Sequence, residues 1–271
     1  MVPGLQEPSG SSSGSGNRDR SRRQKIRCRA ELAEAFDLRA AFDLRVAAGA
    51  CHLSFARGEF SETCGKTTKE TKKIMPDPFI RTAMAADAAR CLAALTLAFR
   101  GDPPCRWAWP DPQQYLEAFP GFARAFGGRA IDHGIAQYYE GFSGVAFWLP
   151  PGAAPDEEPL AKVIENTVAP ERKGAMFSIF EQMDALHPQE AHWYLPLVGF
   201  DPAHQEKGIG SALLSHILNV CDGQNVSAYL EATSPRNVPL YERHGFEAIG
   251  SIQVADSPRI IAMLRKPRPM S

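Results

Sequence analysis

The sequence has no apolar run approaching the roughly 20 residues that span a bilayer, and its N-terminus lacks the apolar centre of a secretory leader. The expectation is a soluble, cytoplasmic protein, with organellar targeting by the Arg- and Ser-rich N-terminus left open. Charge of one sign is missing too. Thirty basic residues stand against thirty-one acidic ones, a formal net charge of -1. The chain as a whole therefore offers no attraction to nucleic acid or anionic lipid, and any basic patch is local. The six cysteines, Cys28, Cys51, Cys64, Cys91, Cys105 and Cys221, contain no close pair to form one jaw of a zinc site. No metal is expected, and all six are read as free thiols. Cys91 and Cys221, inside apolar helical patterns, read as small core residues.

What is present divides into two unlike parts. Residues 1–75 begin with a Pro/Gly/Ser-rich run from Met1 to Gly16, followed by the basic cluster Arg18, Arg20, Arg22, Arg23, Lys25, Arg27 and Arg29. This composition predicts a disordered extension. Inside it, Ala35-Phe36-Asp37-Leu38-Arg39 recurs as Ala41-Phe42-Asp43-Leu44-Arg45, which suits one short amphipathic helix but no solenoid. The basic run is either a solvated tail or the one segment that could touch nucleic acid. Gly65-Lys66-Thr67 has the ending of a nucleotide-binding loop. The glycine that must open such a loop would fall at Phe60, and no apolar strand leads in, so the motif is excluded.

From residue 79 to 268 the pattern is that of a single mixed α+β domain. A strand is predicted at Phe79–Thr82, then helices over Ala85–Phe99, stopped by Gly101, Pro103 and Pro104, and over Gln113–Phe126. Ile135–Tyr139 and Gly144–Leu149 form a hairpin. Helices follow at Leu160–Val168 and Lys173–Leu186, a strand at His192–Phe200, a helix at Ile209–Cys221 and a strand at Ser227–Glu231. A helix at Val238–His244 and two closing strands, Phe246–Val254 and Arg259–Leu264, complete the domain. At least one parallel βαβ unit is required.

Gln205-Glu206-Lys207-Gly208-Ile209-Gly210 lies at the mouth of the Ile209 helix. Without Cβ atoms, Gly208 and Gly210 let a diphosphate approach the backbone, and the unpaired N–H groups of the first turn, with the dipole behind them, point at the anion. Ser211 adds a hydroxyl. A Gly-x-Gly turn alone is equally a structural turn, but the dinucleotide fingerprint is excluded because its third glycine would be Leu213.

Taken with Asn237 to Tyr241 and Gly245-Phe246, the block Gln205-x-x-Gly208-x-Gly210 after Leu197-Val198-Gly199-Phe200 resembles the Gcn5-related N-acetyltransferases (GNAT). It is closest to their puromycin N-acetyltransferase-like branch, through His187-Pro188-x-Glu190-x-x-Trp193-Tyr194-Leu195, Leu230 to Asn237, and the tail Pro258 to Pro267. The resemblance covers roughly residues 79–268. It implies a central mixed, splayed sheet flanked by helices, and direct acetyl transfer from acetyl-CoA, the acyl donor substrate, to a primary amine of a small molecule. It also implies that Leu197, Val198 and Gly199 pair with the pantetheine arm, and that Gln205, Glu206, Lys207, Gly208, Ile209, Gly210 and Ser211 cradle the pyrophosphate.

The same resemblance implies that Tyr241 donates a proton to the leaving thiolate. Asn237 binds the coenzyme arm or caps the Val238 helix. Glu231 is the candidate base, or else a strand-end charge; His192, Glu190 and His204 are its rivals. Trp107, Trp109 and Tyr115 either stack on the acceptor or pack a Pro-rich loop. Two alternative readings remain: a non-catalytic acyl-CoA sensor and a protein or peptide acetyltransferase.

Overall fold

The computed structural model describes residues 79–204 and 208–269, apart from the side chain of His204. The 1–75 extension, with its basic run and duplicated segment, and Gln205, Glu206 and Lys207 of the expected cradle lie outside the described residues. No helix among the described residues is long and apolar enough to cross a membrane.

Seven strands form one sheet: β1 (Ile80–Thr82), β2 (Gln137–Tyr139), β3 (Gly144–Leu149), β4 (His192–Phe200), β5 (Ser227–Ala232), β6 (Glu247–Ile252) and β7 (Ile260–Arg265). Their order across the sheet is β1-β2-β3-β4-β5-β7-β6. All neighbours run antiparallel except β4 and β5, which are parallel and joined through a helix as the βαβ pattern requires. The helices are α1 (Ala88–Phe99), α2 (Pro103–Ala108), α3 (Pro112–Phe126), α4 (Glu157–Thr167), α5 (Pro170–Leu186), α6 (Ile209–Gln224) and α7 (Val238–Arg243).

The first helix ends at Phe99, ahead of Gly101, Pro103 and Pro104, but the two prolines also start a helix, α2, that the sequence reading lacked. Asp102 is the N-cap, its Oδ1 accepting a hydrogen bond from the Cys105 N–H, and proline fits the first helical turn because the N–H it lacks has no partner there. Helix α3 begins the same way, with Asp111 capping Gln114 ahead of Pro112.

The centre of the sheet is irregular in a way that creates an opening. Phe147 pairs with Leu197 but Leu149 pairs with Tyr194, so two steps along β3 oppose three along β4. The extra residue is a bulge, and Pro196, which has no N–H to give a ladder, falls inside it. A bulge also flips the alternation of side chains. Trp193 donates to Gln224 of α6 and Phe200 packs on Gly210 of the same helix, although strict alternation would send them to opposite faces. Gly199 then turns to α1, where a Cβ would come within 2.7 Å of Ala98.

Beyond the bulge β4 and β5 part. Their parallel pairing runs from His192↔Ser227 to Leu195↔Leu230 and no further. β4 continues to Phe200 against β3, and β5 to Ala232 against β7. The edge of β4 from Pro196 onward is thus left without a strand partner towards β5.

The core is apolar and close-packed on both faces. Leu213, Leu214, Ile217 and Cys221 of α6 cover one, while Leu95 of α1 and Phe119, Phe122 and Phe126 of α3 cover the other, all buried. The thiols of Cys91 and Cys221 are pushed up to about 12 by burial, so both stay protonated at neutral pH.

Candidate active site

Four groups lie on or beside β4, β5 and the elements that follow them. The mouth of α6 is the first. Gly208 is its N-cap in the left-handed region, φ 78°, and none of the described residues comes within 4 Å of where a Cβ would sit. Glycine at the N-cap supplies no capping side chain, and the first-turn N–H groups of Ile209, Gly210 and Ser211 lack carbonyl partners within the helix. Such an end attracts an anion. Gly210 serves a different purpose from the one its spacing suggested: a Cβ there would meet the Phe200 ring at 2.9 Å and Leu240 at 3.2 Å. It is glycine so that α6 can lie against β4 and α7.

A cavity of about 370 Å³ adjoins Ile209, but its lining includes Glu140 and Asp201. Two carboxylates suit a phosphate badly, so this cavity is a poor anion site.

The second group is Tyr241 on α7. Its side chain is buried and its ring packs edge-on against Phe246, with centroids 6.1 Å apart. Burial, reinforced by the nearby Asp102 carboxylate, holds its hydroxyl above the usual range, so the phenol is protonated at neutral pH. Asn237 precedes it as the N-cap of α7 and makes no side-chain capping hydrogen bond; its carbonyl takes the Leu240 and Tyr241 N–H groups. The capping alternative for its side chain is therefore not what the structure displays.

Asp102 is the third, and sequence reasoning passed it by. Its Oδ2 accepts a hydrogen bond from Thr233, just past the end of β5, while Oδ1 caps α2. Burial pushes the Asp102 carboxyl above the usual carboxylate range, and the Thr233 and Cys105 hydrogen bonds oppose that. The Asp-Pro pair that starts α2 was the available signal for its fixed position. Its contact with Thr233, 131 residues away, was not readable from the sequence.

The fourth group is centred on Glu231. Its side chain is only 3% exposed, although the residue as a whole is half-buried, because its backbone opens to solvent where β4 departs. Burial pushes the carboxyl from 4.5 up to about 7; the Tyr194 and Tyr229 hydroxyls facing it pull the other way. Glu231 Oε1 and the Tyr229 hydroxyl have no partner at hydrogen-bonding distance among the described residues. His187 Nδ1 stands 3.7 Å from Oε1, and the His187 ring packs on Tyr194 and Tyr229 at centroid distances of 4.6 and 4.5 Å. The carboxylate thus sits in an aromatic box with a titratable wall.

Of the rival bases, Glu190 is exposed at the start of β4, and His192 holds Nδ1 2.8 Å from the Glu190 carbonyl oxygen. The aromatic cluster of the first loop turns out to be packing. Trp109 and Tyr115 are 1% and 2% exposed. Their polar ends are spoken for: Trp109 donates to Thr167, Tyr115 to the Thr96 carbonyl, and Trp107 to Asp256.

This arrangement can be set beside known proteins. Residues 145–246 match the family model of the acetyltransferase (GNAT) family, a span that runs from β3 through the helix mouth to Phe246. The likenesses to known proteins support an acetyltransferase of the GNAT type. An uncharacterized N-acetyltransferase of Schizosaccharomyces pombe is 27% identical over 177 residues, 60% of this chain and 71% of that protein. A solved Corynebacterium glutamicum structure, described as histone acetyltransferase HPA2 and related acetyltransferase, shares 26% identity with a TM-score of 0.53, covering 70% of this chain and 96% of that one. Arylalkylamine N-acetyltransferase 2 from Aedes aegypti, at 12% identity and a TM-score of 0.50 over 70% of this chain and 98% of its own, shares the fold alone. The GNAT match places the splayed β4/β5 pair and the α6 mouth in the part of the chain that this type of acetyltransferase has in common.

Proposed function

We propose that this GNAT-type enzyme transfers the acetyl group of acetyl-CoA to the primary amine of a small molecule, by direct attack within a ternary complex. What supports the reading is that one domain holds a helix with glycine at its N-cap following β4, a β4 edge unpaired towards β5 after Leu195, a protonated tyrosine and, at the end of β5, a buried carboxylate titrating near neutrality.

In this scheme the N–H groups of Ile209, Gly210 and Ser211, with the turn at Gly208, bind the pyrophosphate, and Gln205, Glu206 and Lys207 complete the cradle. The free edge of β4 at Leu197, Val198 and Gly199 pairs with the pantetheine arm, and Asn237 reaches the same arm. Glu231 takes a proton from the substrate ammonium, which makes the nitrogen nucleophilic. The amine attacks the thioester carbonyl, a tetrahedral oxyanion forms, and the C–S bond breaks as the C=O bond returns. Because its hydroxyl is held above the usual range, Tyr241 is a weak acid. It acts first by hydrogen-bonding the developing thiolate, and completes proton transfer as the attacking nitrogen supplies a replacement proton. Burial, with Asp102 nearby, keeps that phenol in its donor form.

The domain responsible is proposed to be residues 79–268, with 1–75 an extension, and the puromycin N-acetyltransferase-like branch is the proposed place within the family. The Corynebacterium protein's description names a histone acetyltransferase, which favours a peptide amine as the second reading. Incubation with acetyl-CoA and a panel containing small amines and a histone-tail peptide, read as free thiol released, separates the two. Turnover on the peptide alone would reject the small-molecule assignment.

A further inference from the structure

A base as deeply buried as Glu231 gains a proton at every turnover and must lose it before the next. Net acetylation of an ammonium releases one proton per cycle, and Glu231 has almost no surface through which to deliver it. The neighbours of the carboxylate supply one outlet. From β5 and β4 it faces Tyr229 and Tyr194, whose hydroxyls are held above the usual phenol range by burial and by the carboxylate itself, so neither carries a proton onward as an anion. The remaining titratable neighbour is the His187 imidazole, 3.7 Å away and 16% exposed, a partner that reaches both the box and the solvent.

His187 is also held so as to favour accepting the charge. It is the C-cap of α5, its N–H bonded to the Met183 carbonyl, and Pro188 behind it requires the extended backbone it adopts, ψ 131°. The negative end of a 17-residue helix stabilises an imidazolium there. The His192 ring lies 5.0 Å farther along, half-buried at the start of β4, close to the exposed Glu190. Glu231, His187 and His192 therefore form a graded path from a buried carboxylate to water.

We propose that His187 is the proton exit of the acetylation site, a positioning residue that resets Glu231 after each transfer. This rests on the reading of Glu231 as the base. The O–H bond of protonated Glu231 breaks as the proton passes to His187 Nδ1, restoring the carboxylate. The imidazolium then loses its Nε2 proton to water or to His192, and exchange with solvent returns the ring to its starting tautomer. A small rotation of the imidazole closes the 3.7 Å gap to hydrogen-bonding distance.

The test is the pH profile of kcat for His187→Gln, with saturating acetyl-CoA and the best acceptor from an amine panel. The expected result is a fall in kcat of roughly tenfold below about pH 8, little change in either KM, and recovery when imidazole is added to the buffer. An unchanged profile, or a loss that imidazole does not restore, overturns the relay. Should His187→Gln fail to fold, ¹⁵N-histidine NMR titration of the unsubstituted protein and of Glu231→Gln decides. Loss of the carboxylate should lower the His187 titration midpoint, and an unmoved midpoint refutes the coupling. Glu231→Gln with undiminished kcat would instead overturn the base assignment beneath it.

Discussion

Replacing Glu231 with glutamine should stabilise the protein above neutrality while removing its activity. The carboxyl titrates at about 7 in the folded state against 4.5 when exposed, because burial penalises its charged form. Between those values the folded state binds a proton that the unfolded state has lost, so stability falls as pH rises through the interval and levels off above it. At about 1.4 kcal/mol per pH unit, the interval corresponds to a cost of about 3 kcal/mol carried by the folded protein at about pH 8 and absent at about pH 4. Glutamine has the same shape and no charge to bury. Urea denaturation of both proteins at the two pH values supplies a double difference in which altered hydrogen bonds to Tyr194 and Tyr229 cancel. The expected outcome is a gain for Glu231→Gln of a few kcal/mol at the higher pH relative to the lower. The same gain at both pH values would mean that Glu231 is not charged in a desolvated box, and the argument for it as a neutral-pH base would fail with it.

Tyr241→Phe keeps the ring against Phe246 but removes the donor. Single-turnover thiol release should slow on the order of 10- to 100-fold with acetyl-CoA affinity little changed; equal rates would dismiss the tyrosine. The wild-type rate should rise with pH through about 7 as Glu231 loses its proton, and a pH-independent rate would speak against that base. At Gly144 a Cβ would come within 2.6 Å of Ile209 and 3.0 Å of Leu213. Gly144→Ala should therefore displace the mouth of α6 and raise the acetyl-CoA KM more than it lowers kcat, whereas unchanged kinetics would show that this contact does not set the cradle. Arg265, 3% exposed, makes a bidentate pair with Asp222 at 2.8 and 2.7 Å and also donates to the His244 carbonyl. Arg265→Leu should cost roughly 3–5 kcal/mol in chemical denaturation. Burial alone would raise the Asp222 carboxyl, but the arginine hydrogen bonds bring it below its ordinary value. That stabilisation is present at neutral pH and is lost as the pH falls below the usual carboxylate range.

Most of the fold could be read from local pattern, because alternation and helical spacing are local properties. His192–Phe200, the α6 start at Ile209 and the Ser227 strand lie where apolar period and glycine punctuation put them. The missed helix α2 had a local signal as well. Asp102-Pro103 is an N-cap followed by a proline suited to a first turn, and it was read as punctuation. Pro196 inside a strand pointed to the β4 bulge in the same way.

What the sequence could not disclose depends on tertiary distance. Glu231 was a strand-end carboxylate with two open meanings. Its enclosure by Tyr194, Tyr229 and His187 comes from three separated segments meeting across two strands and a helix end. Asp102 reaches Thr233 for the same reason. The aromatic trio went the other way: Trp109 and Tyr115 were candidates for an acceptor wall, and their hydrogen bonds to Thr167 and Thr96 tie them into the packing instead.

Acetylation of an amine from acetyl-CoA at the opening between β4 and β5 is tested most directly by following acetylated amine by mass spectrometry and free thiol together, for the unsubstituted protein and for Glu231→Gln with Tyr241→Phe. One acetylated amine per thiol released is expected from the former, and near-complete loss from the doubly substituted protein with acetyl-CoA still bound. Acetylation at an undiminished rate in the double variant, or no binding of acetyl-CoA by the unsubstituted protein, would contradict acetylation at that opening.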